Sequence, residues 1–224
     1  MSLSGHDGAM MAAIGIVGTP WTPVDLLLTF AMWTVMMVGM MGVSAAPVLL
    51  VFGATRTARE QGDVAPATLA FSLGYGAVWT AFSLVATLVQ WTLHETAMLS
   101  PAMAASNPLI EGAILIGAGV YQLTPFKGAC LAHCRSPLAF LLTKWKNGRG
   151  GAFRMGIEHG AFCLGCCWAL MSVLFVVGVM NLVWVAALAM FVFLERIGPA
   201  PTLVGRLAGI AMIVIGLSVL PRIV

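Results

Sequence analysis

The chain has 224 residues, of which only 19 are Asp, Glu, Lys or Arg, while 60% are apolar. A soluble domain carries about a quarter charged residues, so this one has too little charge to solvate its surface and lipid is its expected solvent. The net charge of +3 does not point to nucleic acid, because the basic residues do not accompany base-stacking aromatics on a soluble module.

No Lys or Arg precedes Arg56, and the start carries His6 and Asp7, which does not match the basic opening of a signal peptide. The N-terminus is therefore expected to be retained. Residues 9–18 are apolar but too short to cross a hydrocarbon core of about 30 Å. Six longer apolar segments follow, at 24–53, 67–93, 108–124, 155–178, 181–194 and 203–220. A spanning helix needs about 20 apolar residues, so the third, fifth and sixth are short, and the third gains length only by extension through Pro125.

Two of these segments open with helix-start chemistry. Thr22 stands as a cap before Pro23, with Asp25 in the first turn, and Asn107, Pro108 and Glu111 repeat the design. Each places a carboxylate at the positive end of the helix dipole. Trp21, Trp91, Trp145 and Trp184 fall near segment ends, as an aromatic belt requires.

Charge placement predicts orientation. Arg56, Arg59, Lys127, Arg135, Lys144, Lys146, Arg149, Arg154, Arg196 and Arg206 all fall in alternate connections, and only Arg222 falls on the other side. The positive-inside rule puts the ten in the cytoplasm and both termini outside, which requires an even number of crossings. The basic connection 125–154 contains Ser136 and Pro137 followed by Leu138, Phe140, Leu141, Leu142 and Trp145, with Lys144 and Lys146 beside them. That pattern predicts a helix lying in the cytoplasmic interface. The expected fold is thus an all-α, polytopic transmembrane bundle of about six spanning helices, a single domain over 1–224 with no internal repeat.

All five cysteines lie between 130 and 167, within 38 residues, and two of the four histidines lie among them. Cys130, His133 and Cys134 share about a third of a helical circumference. His159, Cys163 and Cys166 follow i, i+4, i+7 spacing, and Cys167 widens that stripe by less than a quarter turn. The groups flank one connection, so the two stripes can face each other. Thiolate and imidazole suit Cu(I), Zn(II) or an iron–sulfur cluster. A buried cysteine is also a small hydrophobe, and each could simply pack. In a reducing compartment a disulfide framework is not expected, and an odd count leaves one thiol unpaired.

Methionine is the second concentration. Met32, Met36 and Met40 share a face of the first helix, and Met37 with Met41 forms a further pair. Thioether sulfur favours Cu(I), which makes these five a candidate metal path, although methionine is equally a filler of irregular gaps. His6, Met10, Met11, His94, Met98 and Met103 fall on the outer side as a weaker soft-ligand set.

Among intramembrane acids, Glu111 reads as a helix-start carboxylate. Glu158, beside His159, is the candidate partner holding the imidazole from behind. Gly156 and Gly160 form a small-xxx-small pair that admits a neighbouring helix. No nucleotide-binding glycine loop or serine-nucleophile motif is present, which argues against an ordinary hydrolase or an ATP-driven pump, and His94 with Glu95 has no evident partner in the sequence.

The stretch from Tyr121 to Glu195 resembles a bacterial family of predicted metal-binding integral membrane proteins. The matching runs are Tyr-Gln-Leu-Thr-Pro at 121–125, Cys-Leu-Ala-His-Cys-Arg-Ser-Pro at 130–137, His-Gly-Ala-Phe-Cys-Leu-Gly-Cys-Cys-Trp-Ala-Leu at 159–170 and Gly-Val-Met-Asn at 178–181. Trp33, Met36, Met37, Met40 and Met41, followed by Ser44-Ala-Ala-Pro47, resemble that family's first-helix motif, with Gly42-Val43 where the family has leucine–proline. The resemblance implies metal binding in a bacterial cytoplasmic membrane.

The leading expectation is a Cu(I)-binding membrane protein, with copper favoured over zinc, for transfer, transport or homeostasis. Cys130, His133, Cys134, His159, Cys163, Cys166 and Cys167 are the candidate ligands. The candidate partners are the lipid bilayer, a protein that donates or accepts the metal, and further copies of the chain. The rival readings are a thiol–disulfide or quinone-linked oxidoreductase using Cys163 and Cys166, and a structural or assembly subunit whose cysteines pack between helices. Haem binding through His159 is more remote, since no second axial histidine is evident.

Overall fold

The apolar segments all become helix. In the computed structural model, which describes residues 21–59, 62–96, 104 and 106–223, the chain runs through nine α-helices among the described residues and no strand. These are α1 Pro23–Ala58, α2 Val64–Glu95, α3 Pro108–Gln122, α4 Pro125–Arg135, α5 Pro137–Lys144, α6 Gly148–Ser172, α7 Leu174–Val177, α8 Leu182–Ile197 and α9 Pro201–Val219, ending in the 3-10 turn Leu220–Ile223. His6, Met10, Met11, Met98 and Met103 lie outside the described residues.

The starts form for the expected reasons. Thr22 and Asp25 make a reciprocal capping box, with the Thr22 amide donating to Asp25 Oδ2 at 2.8 Å. Asn107 Oδ1 accepts from the Leu109 amide at 2.9 Å. Thr124 caps α4 in the same way, with Pro125 at its first position.

The number of possible crossings is smaller than the number of apolar segments. Four helical stretches are long and apolar enough to cross a membrane: α1, α2, α6 continued through α7, and α9. The third segment does extend past Pro125, but α3 and α4 meet at a 64° bend, and counting them as one span raises the number to five. The fifth segment forms a helix of 16 residues, short of the ~20 that a straight crossing needs. Among the described residues, four or five stretches are thus long and apolar enough to cross, against the six expected. The basic connection 125–154 is also more ordered than a loop, being largely α4, α5 and about the first two turns of α6. The expected short amphipathic helix is α5, whose Phe140 and Leu141 are buried while Leu138 and Leu142 face outward.

Two glycine contacts set the packing. A Cβ on Gly156 would lie 2.1 Å from the Phe71 carbonyl oxygen, and one on Gly74 would lie 2.1 Å from that of Phe153. With Gly160 against Val78, they bring the α2 and α6 backbones into direct contact, as the Gly156/Gly160 spacing predicted. A second small-residue seam joins α3 to α9, where a Cβ on Gly119 would meet Gly209 O at 2.6 Å and one on Gly216 would meet Gly112 O at 3.0 Å. The core between α1, α2 and α6 is filled by Trp33, Met37, Met41, Phe52, Phe71, Trp79, Met155, Leu170 and Met171. Gln90 accepts from Trp33 Nε1 at 2.6 Å, satisfying a buried indole donor. Many outward side chains of the long helices are apolar, including Leu28, Val35, Leu50, Leu73, Leu207 and Val214.

Candidate metal centre

Helix α6 turns one face inward, and that face carries His159, Cys163, Cys166 and Cys167, each at most 2% exposed. Helix α4 packs against it through Cys130 and Cys134. Gly165 makes the approach feasible: a Cβ there would lie 3.0 Å from Cys130 Sγ. Tyr121 donates its hydroxyl to the Gly165 carbonyl and fastens the end of α3 to the same point.

The sulfurs form a short ladder. Cys134, half-buried, stands 4.0 Å from Cys166 Sγ, and Cys166 stands 3.2 Å from Cys167 Sγ. Cys166 also directs its sulfur at the Cys163 carbonyl, 3.1 Å away, so Cys163 belongs to the cluster through its other contacts. Tyr75 from α2 places its hydroxyl 3.0 Å from Cys163 Sγ and 3.2 Å from the Met41 carbonyl.

The largest addition comes from α8. Arg196, buried in its last turn, directs Nη2 at Cys163 Sγ (2.6 Å), Cys166 Sγ (3.6 Å) and Cys167 Sγ (3.7 Å). Its Nη1 donates to Ser44 Oγ on α1 at 2.9 Å. The guanidinium thus gathers three thiols from α6 and one hydroxyl from α1 around a fixed positive charge. Two further groups hold the end of α8 in place. Arg135 on α4 donates to the carbonyls of Glu195 and Arg196, both at 2.8 Å, and to that of Gly198 at 2.9 Å, so it caps the open C-terminus of the helix. Glu195 accepts two bonds from Lys127 on α4, at 2.6 and 2.7 Å, with both side chains out of solvent.

The remaining sequence candidates have neighbours of other kinds. His159 sits in an aromatic cage, with ring centroids at 5.4 Å from Phe140, 6.0 Å from Tyr75 and 6.2 Å from Phe71. His133 is exposed and stacks on Phe162 at 4.2 Å. Glu158, about three turns into α6, is ion-paired with Lys146, which lies just before that helix. The methionines separate into two sets. Met37 and Met41 are buried in the core, while Met32, Met36 and Met40 line a groove shared with Val179, Met180 and Val185.

Among the described residues, no three His, Cys, Asp or Glu side chains converge as a ready metal-holding group. The donor set nevertheless suits a soft ion of low coordination number. Metal–thiolate bonds of roughly 2.3 Å put two sulfurs about 4 Å apart across one ion, and the Cys134–Cys166 separation is 4.0 Å. Sulfur donors without carboxylate oxygen select Cu(I) over hard cations. Sequence periodicity identified the thiol stripe but missed Arg196, Tyr75 and Lys127–Glu195. The one available signal was an acid–base pair, Glu195-Arg196, ending an apolar helix.

No curated protein and no solved structure matches the chain. A family model does, that of PpoB2, described as a copper chaperone; it covers residues 30–219, and the protein belongs to that family.

Proposed function

We propose that the chain is a multi-pass inner-membrane protein that accepts Cu(I) at the sulfur ladder of Cys134, Cys166, Cys167 and Cys163 and passes it on. The observation that carries this reading is the pair of sulfur–sulfur approaches across α4 and α6, Cys134 to Cys166 at 4.0 Å and Cys166 to Cys167 at 3.2 Å, beside Cys163 on the same guanidinium. The copper description of the family agrees with it. Cys130 packs at Gly165 beside the ladder, His133 lies on the same helix as Cys134 and His159 lies one turn before Cys163; these serve as alternate ligands once the ion is bound. With the α3–α4 pair and the short α8 both counted, the helices cross six times. The connections that carry the ten basic residues then lie on the cytoplasmic side and both ends lie outside.

Chemistry at the ladder follows from exposure. Cys134 is the cluster sulfur that reaches solvent, while Cys163, Cys166 and Cys167 are sealed. Ligand exchange therefore starts at Cys134: its thiolate takes the ion from an incoming donor protein, and Cys166 replaces the donor's ligand across 4.0 Å. Each new metal–sulfur bond releases a thiol proton, and copper remains Cu(I) throughout. The Met32, Met36, Met40 and Met180 thioethers lining one groove offer a softer route from the opposite end of α1.

Copper analysis of the purified protein tests the assignment. Cys163→Ser with Cys166→Ser should lower Cu(I) affinity by well over about tenfold, since even supporting residues cost 10- to 100-fold. Equal copper in both proteins would sink the reading. A separate outcome is expected for Cys134→Ser, measured by stopped-flow transfer from a Cu(I)-loaded donor: loading slows, while the final copper content changes little. If loading is unchanged, Cys134 is not the entry ligand.

A redox reading finds support in the same 4.0 Å separation, because Cys134 and Cys166 are close enough for a modest shift to join them. It predicts a reversible disulfide between these two, visible by differential alkylation and mass spectrometry, in protein that binds no copper.

A further inference from the structure

Arg196 is a buried cation whose countercharge is not a carboxylate. Among the described residues, the ion pairs are Lys127–Glu195, Lys146–Glu158 and Arg149–Asp63, and none reaches Arg196. The adjacent acid, Glu195, is held by Lys127 and also accepts from Gln122 at 3.1 Å. The Arg196 Nε has no hydrogen-bond partner among the described residues, and the side chain is 7% exposed. A guanidinium does not lose its proton, so this charge is permanent. Burying it without an anion is strongly unfavourable, and the groups within reach are Ser44, which is neutral, and the sulfurs of Cys163, Cys166 and Cys167.

We propose that Arg196 is the fixed countercharge of the sulfur cluster and makes it select a monovalent soft cation over a divalent one. This rests on the copper reading above and adds the basis of its selectivity. When two thiols bind one ion, two S–H bonds break, two metal–sulfur bonds form and two protons leave to water or to the donor's ligands. The two sulfurs then carry two negative charges. Cu(I) supplies one positive charge and Arg196 the other, so the loaded site is neutral. Zn(II) between the same two sulfurs leaves an excess positive charge inside a low-dielectric core, where it is poorly screened. A third thiolate would restore balance for zinc, but no three ligands converge among the described residues. Arg196 touches sulfur rather than metal, so it is a positioning and charge-setting residue. The pinning of α8 by Arg135 keeps that charge at a constant distance.

The test measures Cu(I), Ag(I) and Zn(II) affinities of the full chain in detergent under anaerobic conditions, by competition with chelators. Wild type, Arg196→Gln and Arg196→Lys are compared. For Arg196→Gln the expected result is a loss of Cu(I) and Ag(I) affinity of about 10- to 100-fold, with Zn(II) affinity unchanged or higher. Arg196→Lys, which keeps the charge, should keep the preference for monovalent ions. Should the glutamine variant fail to fold, the lysine variant decides: loss of its monovalent preference overturns the proposal. A parallel fall for all three ions in Arg196→Gln also overturns it and leaves the copper reading standing. Wild-type protein that takes up neither Cu(I) nor Ag(I) overturns both.

Discussion

Replacing Gly156 with alanine should destabilise the protein by about 3 kcal/mol, the upper end of the usual cost of overpacking. The added methyl would sit 2.1 Å from the Phe71 carbonyl oxygen and 3.0 Å from the Tyr75 amide nitrogen, both backbone atoms that cannot rotate away. Helices α2 and α6 would have to separate. Because Tyr75 reaches Cys163 from α2, that separation also opens the thiol cluster. Gly74→Ala should behave alike, since its methyl would meet Phe153 O at the same 2.1 Å. The contrast is Gly76→Ala, two residues further along α2, where nothing stands within 4 Å of the new atom. There the higher helix propensity of alanine should leave stability equal or slightly raised. Thermal unfolding in detergent, followed by circular dichroism, should show a midpoint lower by roughly 10 °C for Gly156→Ala. Equal midpoints for Gly156→Ala and Gly76→Ala would disprove the backbone contact.

The second large effect is expected at Lys127. Its ammonium and the Glu195 carboxylate meet at 2.6 Å with side chains only 3% and 2% exposed. A buried pair of this kind adds little net stability, because both ions lose their hydration. Removing one partner is different, since it strands the other charge. Lys127→Met should therefore cost about 3–5 kcal/mol, with Gln122 as the only remaining described donor to the Glu195 carboxylate. Adding Glu195→Leu to that variant should restore most of the loss, because neither charge of the pair is then left buried. The double-mutant cycle, read from unfolding midpoints, measures the coupling directly. A double variant no more stable than Lys127→Met alone would show that the pair is not the source of the effect. The cycle also probes function, because Glu195 precedes Arg196 and the pair helps to fix the end of α8 beside the thiols.

The contacts that define the centre differ in how far the sequence announced them. Spacing of 159, 163, 166 and 167 placed four candidate ligands on one helical stripe, and the structure buries all four on one face of α6. The stripe did not reveal that His159 packs among the rings of Phe71, Tyr75 and Phe140. Periodicity gives the angle at which a side chain leaves the helix axis, but not the neighbour it meets there. Glu158 illustrates the same limit: adjacent to His159 in the chain, it faces outward to Lys146. Arg196 entered the sequence reading only as one of ten basic residues. Its distance to Cys163 depends on how α8 folds back across α6, 33 residues away in the chain.

Composition and local patterning by themselves determined the all-helical class, the apolar segments, the starts at Thr22 and Asn107 and the gathering of thiols between 130 and 167. Those features depend on residue type and on neighbours within a turn or two, so a linear reading reaches them. Only the tertiary structure decided that α3 and α4 meet at a 64° bend and that α8 has 16 residues, which leaves four or five stretches among the described residues long and apolar enough to cross a membrane. It alone brought Cys134 to Cys166, Tyr75 to Cys163 and Arg196 to three sulfurs, and it surrounded His159 with rings. The reason is that burial depth and charge pairing are properties of segments far apart in sequence, settled when glycine seams let helices touch.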